Sequence, residues 1–457
     1  MTQRRKFLNL LTMMLMSCYL TSAKESQGNI AKSSKKSIVI IGAGLAGLTA
    51  ARQLQKQGHQ IIIIEARERI GGRIWTSTKW QDIPLDLGAS WIHGVQGNPL
   101  TDLAGLIQAQ RLITSYDKTI TYHTSGQPLS QTQANLLESL RQQVNKALKK
   151  AQNQDTDRSI SQAIEPLRRK FDPSSEAYRF INFILSGEIE QEYSGSTSKL
   201  SAHWYDSAKE FGGDDALFVQ GFKTITDYLA STLEIELGQI VKEIHWDKSP
   251  VKIITQKSEF IADHVIITLP LGVLQSQSVA FSPQLPDYKQ NAIALLGMGV
   301  LNKCYLRFPD AFWATNVDWL EYISQKHGEW TEWVSFKRVA NQPILLGFNA
   351  ADRAKEIEAW SDQRIVASAM ETLKLLYGRD IPNPIDYQIT RWASEPFSLG
   401  SYSYNAVGAT PKTRRDLAMP LGKLLFFAGE ACSQDYFGTA HGAYLSGLRV
   451  AKEVLAI

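Results

Sequence analysis

The pattern of apolar and polar positions is clearest between residues 37 and 64. Ser37 to Ile41 is an unbroken apolar run, which is typical of a parallel strand buried on both faces. Leu45 to Gln57 then has helical spacing, with Leu48 and Leu54 on one face, and Ile61 to Ile64 is a second apolar run. The pattern therefore predicts a strand, a helix and a second strand in that order.

Three glycines lie between the first strand and the helix, in the pattern GxGxxG. Gly42 permits a tight turn, Gly44 lets the backbone approach a pyrophosphate, and Gly47 lets the helix pack closely on the strand. The pyrophosphate then lies at a helix N-terminus, while Glu65, after the second strand, accepts hydrogen bonds from ribose hydroxyls. This stretch predicts a dinucleotide site.

A later strand pattern, within Leu295 to Trp313, holds one lysine among apolar and aromatic neighbours. Alternation places Lys303 on the same face as Leu301 and Tyr305, where burial of an ammonium group costs free energy. The alternative is an edge position from which the ammonium group reaches water, as is usual for a lone lysine. The pattern alone leaves both interpretations open.

The stretch from Gln131 to Lys170 also has helical spacing, with many polar positions. It predicts a pair of helices at the surface. Its cluster of lysines and arginines is typical of a solvated helix face rather than of a binding patch.

Composition and charge exclude several classes of protein. With 457 residues, 44% of them hydrophobic and 21% charged, the chain is long enough for two domains. The formal charge of +4 includes Arg4, Arg5 and Lys6, so the remainder is nearly neutral and does not indicate nucleic-acid binding. After residue 23 the only cysteines are Cys304 and Cys432, so we expect no disulfide framework and no cysteine metal site, and no other pattern indicates a metal.

The N-terminus has the pattern of an export signal. A basic start precedes an apolar run that is too short to span a bilayer, which predicts a signal peptide over residues 1–23. Arg4 and Arg5 resemble a twin-arginine signal. Cleavage after Ala23 and lipidation of Cys18 both remain open, and we expect a periplasmic or secreted protein without a transmembrane segment.

Three further motifs carry a family resemblance. They are "ARERIGGRIWT", "LDLGASWIHGVQGNP" and "LLFFAGEACSQDYFGTAHGAYLSGLRVAKEVL". The sequence resembles the flavin-containing amine oxidase family, and is most similar to the polyamine and spermine oxidases. The resemblance implies an α/β fold in which a Rossmann-like FAD-binding domain is interleaved with an α+β substrate-binding domain. It also implies FAD rather than NAD as the cofactor.

The same resemblance implies a division of the chain. The FAD-binding domain would consist of residues 37–95, 214–285 and 388–457. The substrate-binding domain would consist of residues 96–213 and 286–387.

Many FAD contacts are implied by matching motifs. In the family, Arg73 approaches the flavin–phosphate region, Glu430 binds the ribityl–phosphate arm and the backbone at Val241 meets adenine. The turn from Leu87 to Ser90 lines the isoalloxazine ring, and the helix after Thr439 stabilises negative charge on it. The full expected set is Gly42, Gly44, Leu45, Ala46, Gly47, Glu65, Ala66, Arg67, Gly72, Arg73, Gly88, Ala89, Ser90, Trp91, Val241, Trp392, Gly429, Glu430, Thr439 and Ala440.

The segment "RWASEPFSLGSYSYNAVG" resembles the part of the family that crosses the flavin. By this match Trp392 packs beside the ring, Phe397 lines the substrate pocket and Tyr402 forms one wall of an aromatic cage. Thr439 stands where monoamine oxidases have the second tyrosine of the cage. Ser401 stands where they have the cysteine linked to flavin, so non-covalent FAD is implied.

Recognition of the amine is expected from a histidine and from acidic residues. In the polyamine oxidases His93 lines the substrate tunnel; the alternative is a structural histidine on a turn. Glu188, Glu190 and Glu192 lie within five residues, and one or two of them, above all Glu188, would supply anionic anchors for a linear polycation. An acidic surface loop explains this run equally well.

Lys303 falls where the family has the lysine that reaches flavin N5 through a water molecule. The implied reaction is FAD-dependent oxidation of a polyamine C–N bond, giving an imine that water hydrolyses to an aldehyde and an amine. Hydrogen peroxide forms if oxygen is the acceptor. The alternatives are another flavin amine oxidase activity, such as amino-acid or monoamine oxidation, and a nucleotide-fold binding protein without redox activity.

Overall fold

The structure is a computed structural model that describes residues 35–457. The predicted signal peptide, with Arg4, Arg5 and Cys18, lies outside the described residues. Within the described part of the chain, no helix is both long enough and apolar enough to cross a membrane.

The strands of residues 35–457 are short and come from all parts of the sequence. They are β1 Ser37–Ile41, β2 Gln60–Ile64, β3 Thr76–Ser77, β4 Leu85–Asp86, β5 Trp91–Ile92, β6 Arg111–Thr114, β7 Thr119–Tyr122, β8 Asp215–Phe218, β9 Ile235–Glu236, β10 Val241–His245, β11 Val251–Thr255, β12 Glu259–Ala262, β13 His264–Ile267, β14 Ala280–Ser282, β15 Leu296–Met298, β16 Leu301–Arg307, β17 Trp319–Tyr322, β18 Glu332–Ser335, β19 Ile344–Ala350, β20 Asp386–Ile389, β21 Ser403–Asn405 and β22 Leu425–Phe427.

The helices of the same residues include three long ones, α3, α12 and α14, and several of only one or two turns. They are α1 Leu45–Lys56, α2 Pro99–Leu106, α3 Gln131–Gln152, α4 Ile160–Arg168, α5 Glu176–Phe183, α6 Gln191–Tyr193, α7 Lys223–Ala230, α8 Leu271–Gln275, α9 Asp287–Leu295, α10 Phe336–Ala340, α11 Ala351–Glu358, α12 Asp362–Tyr377, α13 Pro411–Ala418 and α14 Ala440–Leu455. A π-helical segment, Ile184–Glu190, joins α5 to α6, and a 3-10 turn covers Glu430–Cys432.

A parallel sheet in the order β22-β13-β1-β2-β9 forms around the first predicted strand. Ile38 and Ile40 enter the core on one side of the sheet, whereas Val39 and Ile41 enter the core on the other. The prediction of a strand buried on both faces is therefore confirmed. Helix α14 lies against α1, and Gly447 allows this approach because a Cβ there would lie 2.4 Å from the Ala46 carbonyl oxygen.

A second large sheet has the order β20-β16-β19-β18-β17-β7. Strand β16, which carries Lys303, is antiparallel to both of its neighbours, β20 and β19. Since β16 is an interior strand and Lys303 is only 5% exposed, the interpretation as a surface edge lysine is wrong. An interior strand of this sheet therefore carries a buried lysine.

The predicted helical pair between residues 131 and 170 is confirmed as α3 and α4. Ser130 and Ser159 begin the two helices, each with a reciprocal capping box. The expectation that the basic residues form a solvated face is wrong for Arg141, whose side chain is 15% exposed and pairs with Glu188. A guanidinium group thus lies beneath the helix rather than in water.

The two large sheets draw on different segments of the chain. The parallel sheet uses two strands between residues 37 and 64, β9 at 235–236, β13 at 264–267 and β22 at 425–427. The six-stranded sheet uses strands between residues 119 and 122, and 301 and 389. The division of the chain into five domain segments remains a prediction.

Candidate active site

The parallel sheet and the six-stranded sheet border one long cavity. Its volume is about 670 Å³, and its lining runs from Gly44, at the start of α1, to Lys303 on β16 and onward to Glu192. Of the predicted cofactor, substrate and catalytic residues, all except Gly47 line this cavity. The sequence motifs therefore converge on one space, although they are separated by hundreds of positions.

The glycine motif forms one end of the cavity. Gly42 has φ +108°, so it makes the tight turn after β1. A Cβ at Gly47 would lie 2.1 Å from the Gly42 carbonyl oxygen, which explains why this glycine serves helix packing instead of lining the cavity. A Cβ at Gly44 would meet no protein atom within 4 Å, because Gly44 faces the open space.

Glu65 is fixed beside this turn. Its side chain accepts hydrogen bonds from the backbone N–H groups of Ala43, at 2.8 Å, and Arg67, at 3.0 Å. The Arg67 guanidinium lies 3.5 Å from the Glu65 carboxylate and pairs with Glu395 at 2.5 Å. Phe397 was predicted to line the substrate pocket. Its ring centre lies 5.5 Å from the guanidinium carbon of Arg67, so Phe397 lies beside an arginine at the glycine end of the cavity.

Arg73 and Glu430 form an ion pair in the wall, with 2.7 Å between Nη1 and Oε1. Glu430 also accepts hydrogen bonds from Ser403 Oγ, at 2.6 Å, and from Gly438 N, at 2.9 Å. Burial alone would raise the pKa of Glu430. Arg73, Ser403 and Arg414 together lower it by more than burial raises it, so the pKa lies below its usual value. Glu430 therefore holds Arg73 in place and also lines the cavity, and its contact with the cofactor arm remains a prediction.

Helix α14 points its N-terminus at the cavity. Thr439 Oγ1 accepts a hydrogen bond from Gly442 N at 2.9 Å and donates one to the Tyr436 carbonyl at 2.8 Å. Thr439, whose short side chain was expected to leave one side of the aromatic cage open, thus caps the N-terminus of α14. The remaining first-turn N–H groups give this end a partial positive charge, which favours a negative ligand group.

Lys303 binds the turn that the resemblance places against the isoalloxazine ring. Its Nζ donates to the carbonyl oxygens of Asp86, at 2.8 Å, and Gly88, at 2.7 Å, and also to Ser90 Oγ. Trp392 Nε1 donates to the Leu87 carbonyl oxygen of the same turn at 3.1 Å. Two residues predicted from separate motifs therefore hold one segment of the cavity wall.

Burial changes the proton affinity of Lys303 and of a carboxyl group near it. Burial lowers the pKa of Lys303 to about 7, although the charge of Asp86 opposes the change. Burial likewise raises the pKa of Asp86 to about 6, against hydrogen bonds from Thr76 and Phe222 and the charge of Lys303. Sequence reasoning missed Asp86, whose only signal is its position two residues before Gly88.

His93 lies on the wall beyond Trp91. Its Nδ1 is 3.0 Å from Asp215 Oδ2, and Asp215 also accepts a hydrogen bond from Gly94 N at 2.8 Å. The imidazole stacks on the Trp91 indole with 6.4 Å between ring centres, and about half of its surface is exposed. His93 is therefore held in place by Asp215, which the sequence did not indicate.

The three predicted glutamates separate in the structure. Glu188 lines the cavity and is bonded to Arg141, with 2.7 Å between carboxylate and guanidinium. Glu192 lines the cavity and is exposed. Glu190 is buried and bonded to Thr197 and His327. The acidic run is therefore neither a simple surface loop nor a set of three equivalent anchors.

Several lining residues were not predicted. They adjoin Tyr402, which was predicted. The Tyr402 hydroxyl donates to the carbonyl oxygen of Gln191, the first residue of α6, at 2.7 Å, so α6 and the π-helical segment before it form part of the same wall. The unpredicted residues of this part are Tyr116, Gln191, Tyr193, Tyr205, Asp206, Glu210, Phe211, Trp319, Glu332 and Phe348. Trp319, Glu332 and Phe348 lie in strands, and the others lie in loops or in α6, so only the folded chain shows which of them face the cavity. Among residues 35–457 no group of three or more metal-ligating side chains is placed to hold an ion.

Comparison with known proteins agrees with this geometry. The family model described as flavin containing amine oxidoreductase matches residues 45–455. Polyamine oxidase 2 of Arabidopsis thaliana is 33% identical over 447 residues, covering 94% of this chain and 90% of that protein. Protein FLOWERING LOCUS D of Arabidopsis thaliana is 35% identical, covering 92% of this chain and 55% of that protein.

The fold also matches a solved structure. Wild-type putrescine oxidase bound to putrescine superposes with a TM-score of 0.76 at 20% identity, covering 93% of this chain and 99% of that chain. The chain belongs to the flavin-containing amine oxidoreductase family. It is an FAD-dependent amine oxidase. The alternative of a binding protein without redox activity is therefore wrong.

The residues at the glycine end fit FAD. Gly44 and Gly429 both line the cavity, and a Cβ on either one would point into open space, which leaves room for a ligand against the backbone. Glu65 is held by two backbone N–H groups in the position that suits ribose hydroxyls. Arg73 supplies a cation and α14 a helix N-terminus for the negative groups of the cofactor.

Proposed function

We propose that this amine oxidase acts on linear diamines or polyamines. The observation that carries the proposal is the set of acidic side chains in the cavity wall: it includes Glu192 and Glu332, and also Glu188, which is paired with Arg141, together with several aromatic rings. Carboxylates suit ammonium groups and aromatic or apolar surface suits methylene chains. The polyamine oxidase relatives support the same substrate class.

FAD held at the glycine end by Gly44, Glu65 and Arg73 would supply a hydride acceptor for the carbon next to the amine nitrogen. Around that position, Lys303 supplies a group that holds or releases a proton near neutral pH, because burial lowers its pKa to about 7. Trp392 and Lys303 fix the Leu87–Ser90 turn, so this wall is rigid before substrate enters. Burial of this end keeps bulk water from the reacting carbon.

The test compares kcat/KM for putrescine, spermidine and spermine with kcat/KM for benzylamine and for amino acids. We expect the linear amines to be preferred by about tenfold or more, since a charge-assisted hydrogen bond contributes roughly 1.5–3 kcal/mol. Mass spectrometry of the products then identifies the C–N bond that is cleaved. A higher kcat/KM for benzylamine would overturn the proposal.

Amino-acid oxidation is the second candidate, and it requires an arginine for the substrate carboxylate. The arginines that line the cavity, Arg67 and Arg73, belong to the glycine end and pair with Glu395 and Glu430. The acidic lining near Lys303 repels a carboxylate. Amino acids should therefore be poor substrates in the same assay.

We also propose that FAD is bound without a covalent link, since Ser401 stands where monoamine oxidases have the tethering cysteine. Acid precipitation of the purified protein should release all of the flavin as free FAD. Yellow colour retained in the pellet after washing would contradict this.

Export is the remaining part of the proposal and is supported by the N-terminal sequence alone. Changing Arg4 and Arg5 to lysine should leave precursor inside the cell if the twin-arginine route is used. Incorporation of labelled fatty acid at Cys18 would distinguish a lipoprotein from cleavage after Ala23. Unchanged export of the double variant would exclude this route.

A further inference from the structure

The hydrogen bonds of the Lys303 ammonium group all go to uncharged acceptors. They are the carbonyl oxygens of Asp86, at 2.8 Å, and Gly88, at 2.7 Å, and Ser90 Oγ. Three acceptors fill the hydrogen-bonding capacity of an ammonium group, but none of them balances its charge. Because Lys303 is only 5% exposed, that charge is costly unless an opposite charge lies nearby.

The carboxyl group of Asp86 is close enough to supply the opposite charge. Lys303 donates to the carbonyl oxygen of this same residue, so one residue separates the ammonium group from the carboxyl group. Burial lowers the pKa of Lys303, and the charge of Asp86 opposes this change. Burial raises the pKa of Asp86, and Thr76 and the charge of Lys303 oppose that change. Each of the two groups therefore favours the charged form of the other.

The Asp86 carboxyl group is fixed behind the wall of the cavity. Its Oδ1 accepts hydrogen bonds from Thr76 Oγ1, at 2.5 Å, and from Phe222 N, at 3.0 Å, and the same N–H lies 3.1 Å from Oδ2. Asp86 is buried and directly precedes the Leu87–Ser90 turn, which lines the cavity. The carboxyl group therefore acts on the cavity through Lys303 and the turn.

The other titratable groups around this pair have different arrangements. The Tyr305 phenol, on the same strand as the lysine, donates to the Asp86 carbonyl oxygen at 2.8 Å. Burial and the charge of Asp86 raise the pKa of Tyr305 well above its usual value, so the phenol keeps its proton. Lys223, at the start of α7, donates to Asp227 at the surface at 2.7 Å. Glu332 lies on the same face of the sheet but two strands away from the buried lysine.

We propose that Asp86 is a positioning residue that sets the charge of Lys303 during amine oxidation. While the Asp86 carboxyl group is ionised, Lys303 keeps its proton and holds a positive charge on the cavity wall. When Asp86 is protonated, Lys303 loses this support and is more readily neutral, which is the form that accepts a proton. The inference goes beyond the proposed substrate class, because it holds for any amine that the enzyme oxidises.

The first test is the pH dependence of flavin reduction in Asp86→Asn. Asparagine has nearly the same volume and keeps one acceptor oxygen, but it has no charge. The titration to be followed is the one that Lys303→Met abolishes in the limiting rate at saturating amine. Its midpoint should fall by about one pH unit or more, since a nearby opposite charge shifts a pKa by about 1–3 units. Titration of the amine is common to all of these proteins, so an unchanged midpoint would overturn the inference.

The second test does not depend on catalysis. Urea unfolding of the wild type, Asp86→Asn, Lys303→Met and the double variant gives the coupling between the two side chains at each pH. The coupling should be largest near neutral pH. It should decrease at acid pH, where Asp86 is protonated, and at alkaline pH, where Lys303 is neutral. A merely structural role gives a coupling that does not change with pH, and that result would overturn the inference.

A matched control separates this pair from general electrostatics. Asp82→Asn removes the same charge from an exposed residue of the same segment, which pairs with Arg307 on β16. It should leave the midpoint unchanged, and a shift as large as that of Asp86→Asn would contradict the inference. Thr76→Val keeps the Asp86 carboxyl group but removes one of its hydrogen bonds, so the midpoint should fall by a smaller amount. Thr76→Val decides the question if Asp86→Asn does not fold, and no fall in its midpoint would then overturn the inference.

Discussion

The two ends of the cavity are built differently. The glycine end depends on backbone groups and on residues that are close in sequence, such as Gly42, Gly44 and Glu65. The amine end is assembled from side chains on separate elements, such as Lys303 on β16 and Glu332 on β18. The first is specified by a short motif, whereas the second is specified by the register of a sheet.

Gly44→Val should have the largest effect, and it should be confined to the glycine end. Gly44 has φ −78° and ψ 177°, which valine adopts readily, and a Cβ there meets no protein atom within 4 Å. The valine therefore occupies only space that the cofactor needs. We expect FAD affinity to fall by about a hundredfold, or roughly 2.7 kcal/mol, in a titration of apoprotein followed by fluorescence.

Gly47→Ala is the contrasting control within the same motif. Its Cβ would lie 2.1 Å from the Gly42 carbonyl oxygen, so the fold itself should lose stability in urea unfolding. If Gly44→Val lowered stability as much as Gly47→Ala, the distinction between cofactor space and packing space would be wrong.

Lys303→Met tests the amine end. The methionine fills a similar volume, so FAD and fold should be retained. Flavin reduction, reoxidation or both should slow by about tenfold or more, equivalent to roughly 1.4 kcal/mol of barrier. Stopped-flow measurement of the two half-reactions is the readout, and unchanged rates in both would remove Lys303 from the mechanism.

Lys289→Met provides a matched control because Lys289 is also a buried lysine. Its Nζ donates to the carbonyl oxygens of Leu417 and Met419, at 2.8 and 2.7 Å, near the end of α13. This variant should lower stability while leaving both half-reactions unchanged. Slow half-reactions here would mean that loss of any buried lysine disturbs the enzyme.

The same contrast explains what the sequence could predict. The glycine motif, Glu65 and the parallel strands were predictable because each depends on neighbours in the chain. Lys303 was ambiguous until the family motifs around it were considered, because a lone lysine in a strand usually reaches solvent. Glu332 and Asp215 were missed because neither belongs to a motif. Their contact with the cavity depends on strand pairings between distant segments.

Stability should depend on pH through Lys303. Its pKa is about 7 in the folded protein and 10.5 in its ordinary state, so between these values the unfolded chain binds more protons than the folded chain. The contribution of Lys303 therefore makes the free energy of unfolding rise with pH over this window, by at most about 1.4 kcal/mol per pH unit. Urea unfolding of the wild type and Lys303→Met at several pH values isolates this slope. A pH-independent difference between the two would contradict the lowered pKa.

Ser401→Ala should have the smallest effect. Ser401 connects Leu301 on β16 with Arg73 at the glycine end, but we expect its hydroxyl neither to bind FAD nor to take part in the reaction. Its Oγ accepts a hydrogen bond from Leu301 N at 2.9 Å and donates one to the Leu301 carbonyl oxygen at 3.0 Å. Its own carbonyl oxygen accepts a hydrogen bond from Arg73 Nη1 at 3.0 Å, and alanine keeps that bond. We expect a loss of about 1 kcal/mol in the free energy of unfolding, because the Leu301 N–H loses its partner. FAD content and both half-reaction rates should stay within about twofold of the wild type. A large loss of FAD would show instead that the start of β16 controls the glycine end, and that the two ends are coupled through this hydroxyl.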